Sequence, residues 1–236
     1  MGGCFRGSPG KGEMFTRALS KDAQTALALL GKSGILNDAY LAGGTACALQ
    51  LGHRLSFDLD FFTPKEFEIS GMIETLKKTV GLRLERSARG TILGKIKDTR
   101  FSLFSYQPKP IFPLKRFLGV DILDLRDIAA MKVAAVSDRG ARRDFIDLYF
   151  ICKRKIALGD IFKFYDKKYG KLAANLIHIQ KSLVYFIDAE GDEMPRMLKS
   201  CKWEEVKSFF EQKVKKIVIG EEKRLEKYLK KGREKK

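Results

Sequence analysis

At 236 residues, 44% of them hydrophobic and 32% charged, the chain can bury a full core as one large domain or two small ones, and its mixed composition excludes a fibrous protein or one disordered throughout. Its 46 basic residues against 29 acidic ones leave a net charge of +17, which attracts polyanions such as nucleic acid, although a merely soluble basic surface has the same balance. Four scattered cysteines without a CxxC pair argue against a zinc centre or a disulfide framework, and no apolar run reaches the roughly 18 residues of a membrane span, so a reduced cytoplasm and no membrane partner are expected.

Residues 1–15, glycine-rich around Pro9, read as a loose leader. Ser20 and the apolar-periodic run to Leu30 predict a capped helix ended by Gly31 and Gly34. Tyr40-Leu41-Ala42 is a short apolar run that stops at Gly43-Gly44, and Ala46 to Leu51 predicts a short helix closed by Gly52. From Phe57 the sequence alternates with period two, which predicts a strand to Phe62 with Asp58 and Asp60 on one face and Phe57, Leu59 and Phe61 on the other. Pro64 closes it. A helix over 70–80 and strands over 82–86, 91–97 and 100–106 follow. Three prolines between Gln107 and Pro113 mark a boundary near residue 114. Beyond it, residues 125–137, 144–153, 159–169, 172–187 and 203 onward are helical in period. The predicted organisation is therefore a mixed α/β part over 16–113 followed by a helical domain over 114–236. The basic stretch from Glu221 to Lys236 reads either as a solvated helix end or as a tail that contacts RNA.

Two carboxylates at i and i+2 on a strand point the same way, with Cα atoms roughly 6–7 Å apart. Magnesium takes oxygen ligands, keeps several waters and is commonly held by one or two carboxylates plus substrate phosphates, so Asp58 and Asp60 fit a metal and triphosphate site. Set among Phe57, Leu59, Phe61 and Phe62, the pair lies on a strand that reads as central, where uncompensated acids are costly. Gly43-Gly44-Thr45, between a strand and a helix, lets phosphate oxygens approach backbone amides, with Thr45 as donor or cap; an ordinary turn has the same residues. The two histidines, His53 and His178, leave little room for a histidine nucleophile or zinc site. His53 either lines a nucleotide pocket or ends a helix, Arg142 and Arg143 either steer an anion or start a helix, and Trp203 reads as core.

The run Leu41-Ala-Gly-Gly-Thr-Ala-Cys-Ala-Leu-Gln-Leu-Gly-His-Arg-Leu-Ser-Phe-Asp-Leu-Asp-Phe-Phe62 resembles the signature of the AbiEii/AbiGii nucleotidyltransferase toxins of bacterial toxin-antitoxin and phage-defence systems. Asp127-Ile-Ala-Ala-Met-Lys-Val-Ala-Ala135 and Arg143-Asp-Phe-Ile-Asp-Leu-Tyr-Phe150 resemble that family's lysine and aspartate motifs. The resemblance spans roughly residues 20–155. It implies an α+β fold, a polymerase-β-like nucleotidyltransferase mixed sheet with helices followed by a helical C-terminal domain. It also implies that Gly43, Gly44 and Thr45, with Arg54 and Ser56, bind the nucleotide, that Asp58 and Asp60 hold Mg2+, and that Lys132 and Asp144 or Asp147 complete the catalytic set. The third carboxylate that many such enzymes draw from a later strand is missing here, since residues 99–106 offer Ser102 and no acid. The implied activity is transfer of a nucleoside monophosphate from an NTP to an acceptor, RNA such as tRNA first, by a toxin with a cognate antitoxin protein. The alternatives are a non-catalytic nucleic-acid-binding protein on a degenerate transferase fold, and transfer onto a protein.

Overall fold

The computed structural model describes residues 14–233, with side chains through residue 220; the expected leader lies, apart from Met14 and Phe15, outside the described residues. Two compact units divide at residues 128/129, the first taking in residues up to 128 and a returning segment, Pro195–Lys199. In the first unit the helix α1 spans Lys21–Ser33, with the Ser20 side chain accepting from the Ala23 amide at its start and Gly34 in the left-handed region at its end. Then come β1 (Tyr40–Leu41), α2 (Gly43–Leu51), β2 (Asp58–Thr63), α3 (Ile69–Val80), β3 (Arg83–Ala88), β4 (Thr91–Ile96), β5 (Thr99–Ser105), β6 (Lys115–Phe117) and β7 (Val120–Ile122).

The strands form one seven-stranded sheet in the order β3-β4-β5-β2-β1-β7-β6. β2 runs parallel to β5 and antiparallel to β1, which in turn runs parallel to β7. Alternation explains β2: Leu59 and Phe61 are fully buried, Phe61 against Phe101 of β5, beneath α1, whose apolar stripe includes Leu27 and Leu30; α3, with Ile73 and Leu76, packs beside α1 over β3 and β4. Each such side chain contributes roughly 1.5–3 kcal/mol by leaving water. The other face of β2 presents Asp58, Asp60 and Phe62, all partly exposed. Phe57 departs from the expectation that it shares the core face: it precedes the strand, is 43% exposed and has the Arg196 guanidinium over its ring.

β6 and β7 lie beyond the expected boundary near 114, inside what reads by period as the helical domain, because their pairing with β1 continues the sheet past the proline-rich connection. Buried Asp127 fastens that connection by accepting from the Ile111 and Phe112 amides. Gln50 donates to the Leu123 carbonyl and accepts from Lys115. Gly31 is interior to α1 rather than its end, and sits where the Leu118–Gly119 backbone passes closest. The returning segment is held by the carbonyl of buried His53, which accepts from the Leu198 and Lys199 amides just past the end of α2.

The second unit holds the rest of α4 (Leu125–Arg139), then α5 (Arg142–Lys153), α6 (Leu158–Tyr169), α7 (Leu172–Ser182), α8 (Ile187–Glu190) and α9 (Trp203–Arg233). The helix expected over 172–187 stops at Ser182; Phe186 then packs against Phe145 and Trp203. Phe145 also meets Phe210, which makes Trp203 part of this unit's core. Arg142 donates to the Ala189 and Glu190 carbonyls and stacks over Trp203, a packing role at the start of α5. Among the described residues no helix is long and apolar enough to cross a membrane.

A Cβ at Gly31 would collide with the Leu118 carbonyl oxygen, so Gly31→Ala should destabilise by about 1–3 kcal/mol. Urea denaturation should show a lower midpoint at unchanged slope; an unchanged midpoint would contradict the packing described.

Candidate active site

In the first unit the sequence places β1, a sharp turn and α2 in immediate succession, and the turn needs its glycines. Gly43 has φ +63°, and a Cβ there would stand 3.1 Å from Asp60 Oδ2. A Cβ on Gly44 would run into the Arg54 guanidinium. The turn is thus pressed between a carboxylate on one side and a cation on the other. Side chains at either glycine would push one of them away.

Thr45 is buried, donates to the Asp58 carbonyl and lies 2.8 Å from Ser56 Oγ, which can donate to it in return. Its side chain is therefore turned into the protein, binding the start of α2 to the residues that lead into β2. Arg54, also buried, donates to the Leu55 carbonyl at 3.0 Å. Thr45, Ser56 and Arg54 fix the turn against the strand. Asp60 lies directly beside this turn.

Asp58 and Asp60 emerge on the same face of β2, as alternation predicts. Asp58 Oδ1 is buried and accepts no hydrogen bond among the described residues. The Arg100 guanidinium is 3.0 Å away, close enough for attraction but not aligned as a hydrogen bond. A buried carboxylate oxygen without a donor costs about 1–3 kcal/mol. A divalent cation at that oxygen would remove the cost, so the residues present fit a magnesium site shared by Asp58 and Asp60. In register with Asp60 on β5 stands Ser102, so no third acid comes from that strand.

In the second unit Lys132, Asp144 and Asp147 come together. Lys132 is 5% exposed and both aspartates are fully buried. Lys132 Nζ lies 2.7 Å from Asp144 Oδ1 and 2.6 Å from Asp147 Oδ2. Both aspartates touch the lysine because residues three apart on α5 share a face. What separates them is Arg139, whose Nε is 2.8 Å from the second oxygen of Asp144. Burial, the largest influence on the Asp144 carboxyl, pushes it up, yet the Lys132 ammonium and the Arg139 guanidinium outweigh burial and hold it below the ordinary value. Sequence reasoning overlooked Arg139 and Arg100. The first lies one turn beyond the lysine motif, and the second shows only once strand register is known.

A sequence model of the family described as "Nucleotidyl transferase AbiEii toxin, Type IV TA system" matches residues 83–231, a stretch that includes Lys132, Asp144 and Asp147 and begins after Asp60. An uncharacterized Aquifex aeolicus protein, aq_aa25, is 37% identical over 211 residues, covering 84% of this chain and 97% of the relative. Among solved structures, MenT4, a nucleotidyltransferase toxin of Mycobacterium tuberculosis, aligns with a TM-score of 0.52 at 14% identity over 83% of this chain and 86% of that one. JHP933 from Helicobacter pylori aligns at 0.51 and 17% identity over 89% and 97%. These likenesses concern the fold.

Removing one partner of a buried ion pair leaves the other uncompensated, so Asp144→Asn should cost about 3–5 kcal/mol at neutral pH. Because the folded carboxyl titrates below its ordinary value of 3.8, the stabilisation is complete above that pH and is lost as pH falls through the lower folded value. Denaturation midpoints of wild type and Asp144→Asn should therefore converge on acidification below 3.8; a constant gap would show that this group does not titrate as described.

Proposed function

The chain belongs to the AbiEii nucleotidyl transferase toxin family of type IV toxin-antitoxin systems, and from that premise we propose that it transfers a nucleoside monophosphate from an NTP to RNA, tRNA first, using Mg2+ held by Asp58 and Asp60. Membership makes it a nucleotidyltransferase with an NTP substrate and an antitoxin partner. The metal, the acceptor, a role in phage defence and a cytoplasmic place of action are our reading. The observation that supports it most is the buried Asp58 Oδ1 that accepts no hydrogen bond, set beside Asp60 and the Gly43-Gly44 turn.

Bound magnesium supplies positive charge to the triphosphate. The chain's own residues do the rest. Gly43 and Gly44 allow phosphate oxygens to approach the amides at the start of α2, where the helix dipole favours an anion. Thr45, Ser56 and Arg54 hold that turn in place. Lys132 is assigned to a phosphate, its burial compensated by Asp144 and Asp147. Ser102 stands opposite Asp60, and Asp144 or Asp147 is assigned to the catalytic set by the family resemblance. A net charge of +17 favours an acceptor with a phosphate backbone over a protein side chain, and such contacts are salt-dependent and indifferent to sequence.

The protein should be incubated with each α-labelled NTP, Mg2+ and bulk tRNA. Label should appear in RNA and fall by about 10²–10³-fold in Asp58→Asn and Asp60→Asn, the scale of losing one electrostatic stabiliser of the transition state, in variants whose melting confirms folding. Label in protein would move the acceptor to a side chain, and label nowhere would favour a binding protein without catalysis.

A further inference from the structure

Arg100 belongs to the open face of the sheet but to none of the roles assigned above. It stands opposite Asp58 in the β2–β5 register. The arginine side chain is 71% exposed and the aspartate 32%. Their 3.0 Å contact is an ion pair at the protein surface, a class that holds weakly, and it leaves the buried oxygen of Asp58 without a hydrogen bond.

The neighbours of Arg100 are cations. Lys95 faces it across β4–β5, and Arg83 faces Lys95 across β3–β4. Like charges directly opposite on adjacent strands are destabilising; here Glu85 pairs with Lys95 and Asp98 with Arg83, and the aspartate that offsets Arg100 is one of the two acids of the site. One face of the sheet thus runs from three basic side chains to two acidic ones. A ligand that fits such a face has a cationic part for the acids and a polyanionic part for the bases, as a divalent metal with a polyphosphate does.

We propose that Arg100 is a two-position side chain: it pairs with Asp58 until a divalent cation arrives, and is then held by a phosphate oxygen of the metal-bound nucleoside triphosphate. The inference rests on the reading that Asp58 and Asp60 hold the cation. A divalent ion arriving at Asp58 Oδ1 competes with the guanidinium for that oxygen, and the repulsion between the two cations weakens the Arg100 contact. Displaced, Arg100 keeps a planar fork of donors that matches phosphate oxygens, and its exposed stem moves without opening the core. Arg100 is therefore a phosphate-binding residue contributed by β5, the strand that supplies no third acid.

The full chain, labelled with 15N, should be titrated with Mg2+ and then with Mg2+ plus non-hydrolysable analogues of the four NTPs, following the Arg100 Nε–H resonance identified by its loss in Arg100→Lys. Calorimetry should measure Mg2+ affinity in wild type, Arg100→Ala and Asp60→Asn. The resonance should shift as Mg2+ saturates and shift again with nucleotide. Arg100→Ala should bind Mg2+ alone about five-fold more tightly, the range set by loss of a surface ion pair, and the Mg2+–nucleotide complex several-fold more weakly. If wild type binds Mg2+ and Asp60→Asn does not, while the Arg100 resonance stays fixed or Arg100→Ala leaves metal affinity unchanged, the two-position role is wrong and the metal site stands. If wild type binds no Mg2+, or Asp60→Asn binds it equally well, both fall.

Discussion

Two negative charges project from the same side of one strand, and the opposite side of that strand is locked into the core. Leu59 and Phe61 are fully buried beneath α1, so slipping β2 by one residue would exchange core for carboxylate. The hydrophobic packing therefore holds Asp58 and Asp60 together against their own repulsion. Its free energy exceeds the repulsion of two partly solvated like charges. The Gly43-Gly44 turn, the Thr45–Ser56 contact and the Arg100 ion pair are all arranged around those two acids.

The second unit solves a different electrostatic problem. Lys132, Asp144 and Asp147 are buried among apolar side chains of α4 and α5, where an isolated charge would not be tolerated. Two carboxylates on one ammonium leave an excess negative charge, and Arg139, on the last turn of α4, offsets it at Asp144. The buried lysine and two aspartates are thus balanced by an arginine whose side chain is half exposed. Such clusters add little net stability compared with apolar residues of the same volume.

Most of the fold was legible because strong local signals agreed with the tertiary structure. The alternation of 57–62 gave β2 and the shared face of its acids, and Ser20 and Gly34 bracket α1 as their types suggest. Phe57 broke the pattern because alternation does not say where a strand begins. β6 and β7 escaped notice because three-residue strands next to prolines carry little periodicity, and what fixes them, pairing with β1 and the close approach of Leu118 to Gly31, is long-range. At the site, the motifs drew attention to Asp58, Asp60, Lys132, Asp144 and Asp147 by residue type and spacing alone. The inward turn of Thr45 and the places of Arg100 and Arg139 depend on register and helix packing, which a single sequence does not display.

The central claim is that Asp58 and Asp60 jointly hold a divalent cation. Crystals grown with Mn2+ and a non-hydrolysable NTP, measured at a wavelength where manganese scatters anomalously, test it directly. An anomalous peak should lie within coordination distance of a carboxylate oxygen from each of the two aspartates, with the polyphosphate on the same ion. A peak elsewhere, or a nucleotide bound with no metal between these residues, would contradict it.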